Sequence, residues 1–185
     1  MERVQVLTSR PYDISIAPAL LNQFLPDPGL SPSQVVVVSD PTIYEIYGKT
    51  LQAALPFGPR VKCRSILIPS GERSKCLSEV ERAYDALAEY RVERDDLLIA
   101  LGGGVVGDIT GFVAATYLRG LPYIQVPTTL VAQVDSSIGG KTGVDHPAGK
   151  NLIGAFNQPA AVWIDPHVLR TLPLNQRRAG LAEVV

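Results

Sequence analysis

The sequence predicts an α/β fold, a parallel sheet with helices on both faces that is opened by a β-hairpin. Three observations carry this expectation. Strand-like runs alternate with helical patterns along the chain. Two of those runs, "VVVV" at 35–38 and "LLIAL" at 97–101, are apolar throughout, as strands buried on both faces are. A glycine cluster then stands directly after the second run and before a helical pattern, where such sheets turn from strand to helix.

The elements follow in order. Val4–Leu7 and Tyr12–Ile16 flank the turn-like Thr8-Ser9-Arg10-Pro11 and form the opening hairpin. The valine run ends at Ser39-Asp40, and Thr42–Leu55 continues as a helix whose Ile43, Ile46, Tyr47, Leu51 and Leu55 fall on one stripe. Ser65–Ile68 is a strand leading into "PSGERSK". Ser78-Glu79-Val80-Glu81 has the capping-box pattern in front of a helix that carries Ala83, Tyr84, Leu87 and Ala88. Asp96–Leu101 is a strand, Asp108–Leu118 a helix, and Tyr123–Val126 a strand that ends at Pro127.

Beyond Pro127 the texture changes. "TTLVAQVDSSIGGKTGVDHPAGKNLIGAFNQP" mixes Gly, Ser, Thr, Lys, Asp and Asn with too few apolar residues for a regular element, and a long irregular stretch inside a compact protein is usually functional. Ala160–Ile164 returns as a short strand. "NQRRAGLAEVV" opens a helical pattern and stops without a cap. Residues 1–175 are therefore expected to form the α/β domain, and 176–185 the start of a second, helical one that is cut short.

Composition excludes several classes. An apolar share of 46% and a charged share of 19% fit a globular protein with a sizeable core. A net charge of −1 gives no field to gather nucleic acid or an anionic membrane. No apolar run approaches the roughly 20 residues of a membrane span, and the N-terminus carries no secretion signal, so the expected address is the cytoplasm. Cys63 and Cys76 have neither the number nor the spacing of a disulfide framework or a zinc ribbon. His146 and His167, the two histidines, read as polar loop residues.

Gly102, Gly104 and Gly107 fit G-x-G-x-x-G in a strand-to-helix setting, which makes the sheet Rossmann-like. Such a turn lets backbone approach a diphosphate while the helix N-terminus offers free N–H donors, so the target is an anion, foremost a dinucleotide pyrophosphate. No acid stands about 20 residues further on, where Pro127-Thr128-Thr129 lie, so the ribose partner is assigned to Asp40 at the end of an earlier strand. The plainer reading is a tight turn with Asp108 capping the helix. Lys141, Lys150 and Asn151, with Asp135 and Ser136 nearby, form a set suited to a phosphorylated, hydroxyl-rich molecule, although a lone lysine is usually a solvated charge. Arg119 is either a helix-terminus cation or a further anion contact.

Taken together, "GGGVVGDITGFVAATYLRG", the stretch from "PTTLVAQVD" to "GAFNQP" and the terminal "GLAEVV" resemble the 3-dehydroquinate synthase family over about residues 35–185. The resemblance implies NAD held by an N-terminal α/β domain, a C-terminal helical domain that closes the site and is absent from this chain, and a divalent zinc or cobalt ion. It implies conversion of 3-deoxy-D-arabino-heptulosonate 7-phosphate to 3-dehydroquinate and phosphate in the shikimate pathway, by a homodimer. By motif position, Asp40, Glu72, Lys75, Gly104, Val105, Val106, Gly107, Asp108, Thr128, Thr129, Lys141, Lys150 and Thr171 would contact NAD. Arg119, Asp135, Lys141, Lys150 and Asn151 would line the catalytic, substrate side, and Glu183 matches the first metal ligand.

The family's remaining metal ligands are histidines of the helical domain, which His146 and His167 do not match, so the chain alone is expected to be inactive. Three alternatives stand beside this reading. One is another NAD-dependent sugar-phosphate cyclase, such as a 2-deoxy-scyllo-inosose synthase, similar in the glycine turn but different through the loop. The second is a metal-dependent polyol dehydrogenase. The third is an NAD-binding module without catalysis.

Overall fold

The computed structural model describes residues 1–23 and 25–184. In chain order it comprises β1 (Glu2–Val6), β2 (Tyr12–Ile16), β3 (Gln34–Ser39), α1 (Pro41–Ala54), β4 (Lys62–Leu67), α2 (Leu77–Glu89), β5 (Leu97–Gly102), α3 (Gly104–Thr116), β6 (Tyr123–Pro127), β7 (Lys141–His146), β8 (Gly149–Phe156), β9 (Ala161–Ile164) and α4 (Leu174–Leu181). Short 3-10 turns and one π-helical turn, Ala132–Ser136, join them.

Every residue of β3 and β5 is buried, because each strand has core on both faces. Val35 and Val37 pack with Leu51, Ile99 and Trp163 in one layer. Val36 and Val38 pack with Val80, Leu87 and Ile109 in the other. Period-two alternation thus sends neighbouring valines to opposite sides. Helix α1 covers the first layer, and α2 and α3 cover the second.

The seven-stranded sheet has the order β1-β2-β9-β6-β5-β3-β4. The β1–β2 hairpin is antiparallel, with Val4 opposite Ile14; every other pairing is parallel. From β3 the chain crosses outward to β4, then returns to lay β5 on the other side of β3. The connections leaving β3 and β5 therefore diverge, and a crevice opens between the carboxyl ends of those two strands. Asp40 closes one strand and Gly102–Gly103 the other.

Three sequence expectations are corrected. The capping box at Ser78–Glu81 is not used: α2 starts at Leu77, its N-cap is Cys76 without a side-chain cap bond, and Ser78 lies inside the first turn, its Oγ 3.1 Å from Cys76 Sγ. Helix α3 begins at Gly104 rather than Asp108, so Asp108 is not its cap. Glycines and β-branched residues disfavour a helix locally, but close packing outweighs that here. A Cβ on Gly107 would stand 2.7 Å from Oε1 of Gln125 on β6, so a bare backbone lets the helix settle onto the sheet.

The third correction concerns the stretch after Pro127, which is not irregular. Its first part is the π-helical turn, and the rest is a second sheet in which β7 and β8 pair antiparallel, Lys141 opposite Phe156 and Val144 opposite Ile153. This hairpin lies over α3, which explains why α3 buries residues all around, among them Val106, Ile109, Val113 and Ala114. No helix is long and apolar enough to cross a membrane among the described residues.

Candidate functional site

Two cavities flank the glycine turn. The first, of about 440 Å³, occupies the crevice between β3 and β5 and is lined by Asp40, Ser70 and Gly71 on one side and by Gly103–Val106, Thr128, Thr129 and Thr171 on the others. The second, of about 520 Å³, lies between α3 and the β7–β8 hairpin and is lined by Asp108, Asp135, Ser136, Lys141, Thr142 and Asn151, with Phe156 at its edge. Gly104 and Ser136 separate them: a Cβ on Gly104 would stand 3.0 Å from Ser136 Oγ, so the turn has no room for a larger residue without displacing that wall.

The chemistry of the first cavity is that of an anion cradle. Helix α3 starts on it with Gly103 as N-cap and no side-chain cap bond. The first N–H groups of a helix lack intrahelical partners and carry partial positive charge. Thr128, only 2% exposed, follows β6 and is pinned by its N–H to Gly102 O at 2.9 Å. Its Oγ1 is buried without a hydrogen-bond partner, a polar group that calls for one. Asp40 is the N-cap of α1, where Oδ1 accepts the N–H of Thr42 at 3.0 Å, the N–H of Ile43 at 3.1 Å and the Ser70 hydroxyl at 3.1 Å. Thr171 shares a 2.7 Å hydrogen bond with Tyr47 Oη. A pyrophosphate at the helix start with a ribose toward Asp40 fits these donors and acceptors.

Around the second cavity the polar residues are wired together. Lys75 is 7% exposed; its Nζ lies 2.5 Å from Asp108 Oδ2 and donates to Asn151 Oδ1 at 2.5 Å. Lys150 Nζ reaches Glu72 Oε1 at 2.9 Å on the surface. Burial pushes the Asp108 carboxyl above the ordinary carboxylate range, and the neighbouring Glu72 and Asp145 push the same way while Lys75 acts against them. Asp135 is exposed at the π-helical turn, a form of helix frequent at functional sites. That turn is held by Gln133, whose Nε2 donates to Pro127 O at 3.2 Å and to Asp165 O at 3.1 Å.

Most of the residues singled out in the sequence line the two adjoining cavities, and Lys75 borders the second through its bonds to Asp108 and Asn151, while Glu72, Gly107 and Lys150 line neither. Arg119 also lines neither. It lies at the far end of α3 from the glycine turn, roughly 20 Å along the axis at 1.5 Å per residue, exposed and left-handed with φ 67°. Glu183 is exposed beyond the end of α4 and lines neither cavity. Among the described residues no group of three or more His, Cys, Asp and Glu is placed to hold a metal ion. Ser70 and Gly71 escaped the sequence reading; the available signal was a glycine loop at the end of β4, the strand beside β3.

Fold and site define a doubly wound α/β domain with a phosphate-type cradle at its topological switch point. A family model described as 3-dehydroquinate synthase N-terminal matches residues 65–179, and the chain belongs to that family. It is 52% identical over 181 residues to the 3-dehydroquinate synthase of a Nostoc species, covering 97% of this chain and 50% of that protein. With the Synechocystis 3-dehydroquinate synthase the identity is 50% over 183 residues, again covering 97% of this chain and 50% of the other. The chain spans about half the length of these relatives. Among solved structures, 2-epi-5-epi-valiolone synthase from Streptomyces hygroscopicus with NAD+ and Zn2+ bound superposes with a TM-score of 0.86 at 36% identity, over 99% of this chain and 51% of that one. A 2-deoxy-scyllo-inosose synthase complexed with carbaglucose-6-phosphate, NAD+ and Co2+ shares the fold, with a TM-score of 0.85 at 24% identity over 97% of this chain and 50% of that one.

Proposed function

We propose that this chain is the nucleotide-binding half of a 3-dehydroquinate synthase, a cytoplasmic, homodimeric lyase that turns 3-deoxy-D-arabino-heptulosonate 7-phosphate into 3-dehydroquinate and phosphate. The observation that supports this best is the glycine-turn cavity at the switch point, in a chain whose family is defined by that enzyme's N-terminal domain. In this reading NAD spans both cavities: its adenosine ribose meets Asp40, and its pyrophosphate rests on the N–H groups of Gly104, Val105, Val106 and Gly107 with Thr128 and Thr129 beside it. Its nicotinamide end reaches Asp108, Glu72, Lys75, Lys141 and Lys150, and Thr171 closes the adenosine side. When bound, NAD would supply a hydride acceptor and return the hydride within one turnover.

The chain's own residues then bind and orient. Lys141, Lys150 and Asn151 present cationic and amide donors to a phosphorylated sugar acid, and Asp135 accepts from its hydroxyls. Arg119, which lines neither cavity, would serve as a substrate contact only through a surface outside this cavity pair. Glu183 would be one ligand of a zinc or cobalt ion. A single carboxylate does not make such a site, and the described residues supply no companions. For that reason the chain alone should bind NAD without turnover, and a second domain, whose start this reading assigns to residue 176, would supply the rest.

Identities of 50% or more to several 3-dehydroquinate synthases, against 36% to the valiolone synthase, favour this branch over other cyclases. Calorimetry with NAD, paired with a phosphate-release assay on the same preparation, tests the reading. Saturable binding of one NAD per chain with no phosphate released is expected; an absence of binding, or turnover by the pure chain, contradicts it.

A further inference from the structure

The β7–β8 hairpin turns at Pro147-Ala148, and its ladder is irregular between Val144 and His146, where Asp145 sits on β7 across from the start of β8. Asn151 has a left-handed backbone, φ 57°, a conformation uncommon for residues with a Cβ although asparagine enters it more readily than most. Asp145 bonds to it there. Its Oδ1 accepts the backbone N–H of Asn151 at 2.8 Å, and its own N–H donates to Lys75 O at 2.8 Å, so one residue closes the turn and ties it to the segment in front of α2. Turned in this way, Asn151 presents Oδ1 to Lys75 Nζ, the same ammonium that pairs with Asp108. The preceding Lys150 is delivered to Glu72. Asp108 and Asn151 both line the hairpin cavity, whereas Asp145 does not.

We propose that Asp145 is a positioning residue: as a hydrogen-bond acceptor it fixes the left-handed backbone at Asn151, and through it Lys75, the partner of the cavity-lining Asp108. This rests on the nucleotide reading above, since it assigns the nicotinamide half of NAD to the cavity that Asp145 organises. The rival explanation is charge, because Glu72, Asp108 and Asp145 together surround Lys75 and Lys150. Replacing the carboxylate by an amide separates the two: Asp145→Asn keeps the acceptor and removes the charge, and Asp145→Ala removes both.

The test is made on the 185-residue chain with NAD and AMP as probes, alongside amide exchange at Asn151 measured by NMR. Asp145→Ala should speed exchange of the Asn151 N–H by about tenfold or more, the opening of one satisfied bond. It should weaken NAD by about tenfold while leaving AMP, which needs only the glycine-turn cavity, within about twofold. Asp145→Asn should match the wild type within about threefold on all three readings. Unchanged exchange in Asp145→Ala, an asparagine variant as weak as alanine, or equal losses for AMP and NAD would each overturn the assignment. A wild-type chain that binds no NAD sinks the nucleotide reading instead, and the exchange rates alone then decide whether Asp145 holds Asn151.

Discussion

Asp40 combines two duties in one carboxylate. Oδ1 is committed to the cap of α1 and to Ser70, while Oδ2 has no hydrogen bond among the described residues and belongs to a side chain lining the glycine-turn cavity. An amide keeps the cap and loses the anionic acceptor, so the duties separate. Asp40→Asn should weaken NAD by about tenfold with little change in unfolding free energy, and Asp40→Ala should cost about 1 kcal/mol of stability besides. Calorimetry and urea unfolding on the same samples read the two effects. Asp108 makes a second prediction. Because its carboxyl holds its proton more tightly in the fold than in the unfolded chain, the stability tied to it is fully present below the ordinary carboxylate pKa and is lost as pH rises through the raised one. The unfolding free energy of the wild type relative to Asp108→Asn should therefore fall with pH over that window; a difference that grows with pH contradicts it. At this scale the sequence was informative where a whole motif lies within a few consecutive residues, as with Gly102, Gly104 and Gly107 after β5, whereas Thr128 was named through the family resemblance and its partner Gly102 lies on another strand. Ser70 was invisible because its partner, Asp40, is brought to it by strand pairing.

Among the elements, strands buried on both faces and most of amphipathic α1 could be read directly, because burial imposes a period that a single sequence displays; Ile46, assigned to the apolar stripe of α1, is instead exposed at the glycine-turn cavity. The β7–β8 hairpin could not. Its inner strand buries one large apolar residue, Val144, and its outer strand is mostly exposed, so neither shows a clean alternation. What holds the hairpin is closeness: Gly143 faces Gly154, and a Cβ on Gly154 would collide with Thr142 O on the opposite strand. Gly154→Ala should cost about 1–3 kcal/mol through forced displacement. Hydrogen exchange should show the loss confined to Lys141–Phe156, with β3, β5 and β6 still protected; uniform loss across the central sheet would mean the hairpin is part of the core. Helix α3 teaches the converse lesson. Its first turn, Gly104–Gly107, is a poor helix former that reads as loop, and only the cover of sheet on one side and hairpin on the other keeps it helical.

For the molecule as a whole, the decisive feature is the reversal of strand order between β3 and β5, which opens a crevice where two loops leave in opposite directions. The order of strands could not be read from the chain, yet its consequence could: Asp40 and the glycines both follow fully buried strands, and such strands neighbour one another in the middle of a parallel sheet. The exposed apolar residues Phe156, Leu152 and Leu174 stand on the hairpin and on α4, near the edges of the cavities. A dinucleotide entering the crevice at Gly104 is the central requirement, and NMR titration of the labelled chain with NAD tests it most directly. The largest shifts should fall on Gly103 to Gly107 and on Thr128 and Thr129, with weaker ones at Asp108 and Asn151. Shifts that spare the glycine turn and gather elsewhere, such as the polar groove beside Arg3, Asp13 and Asp27, would contradict it.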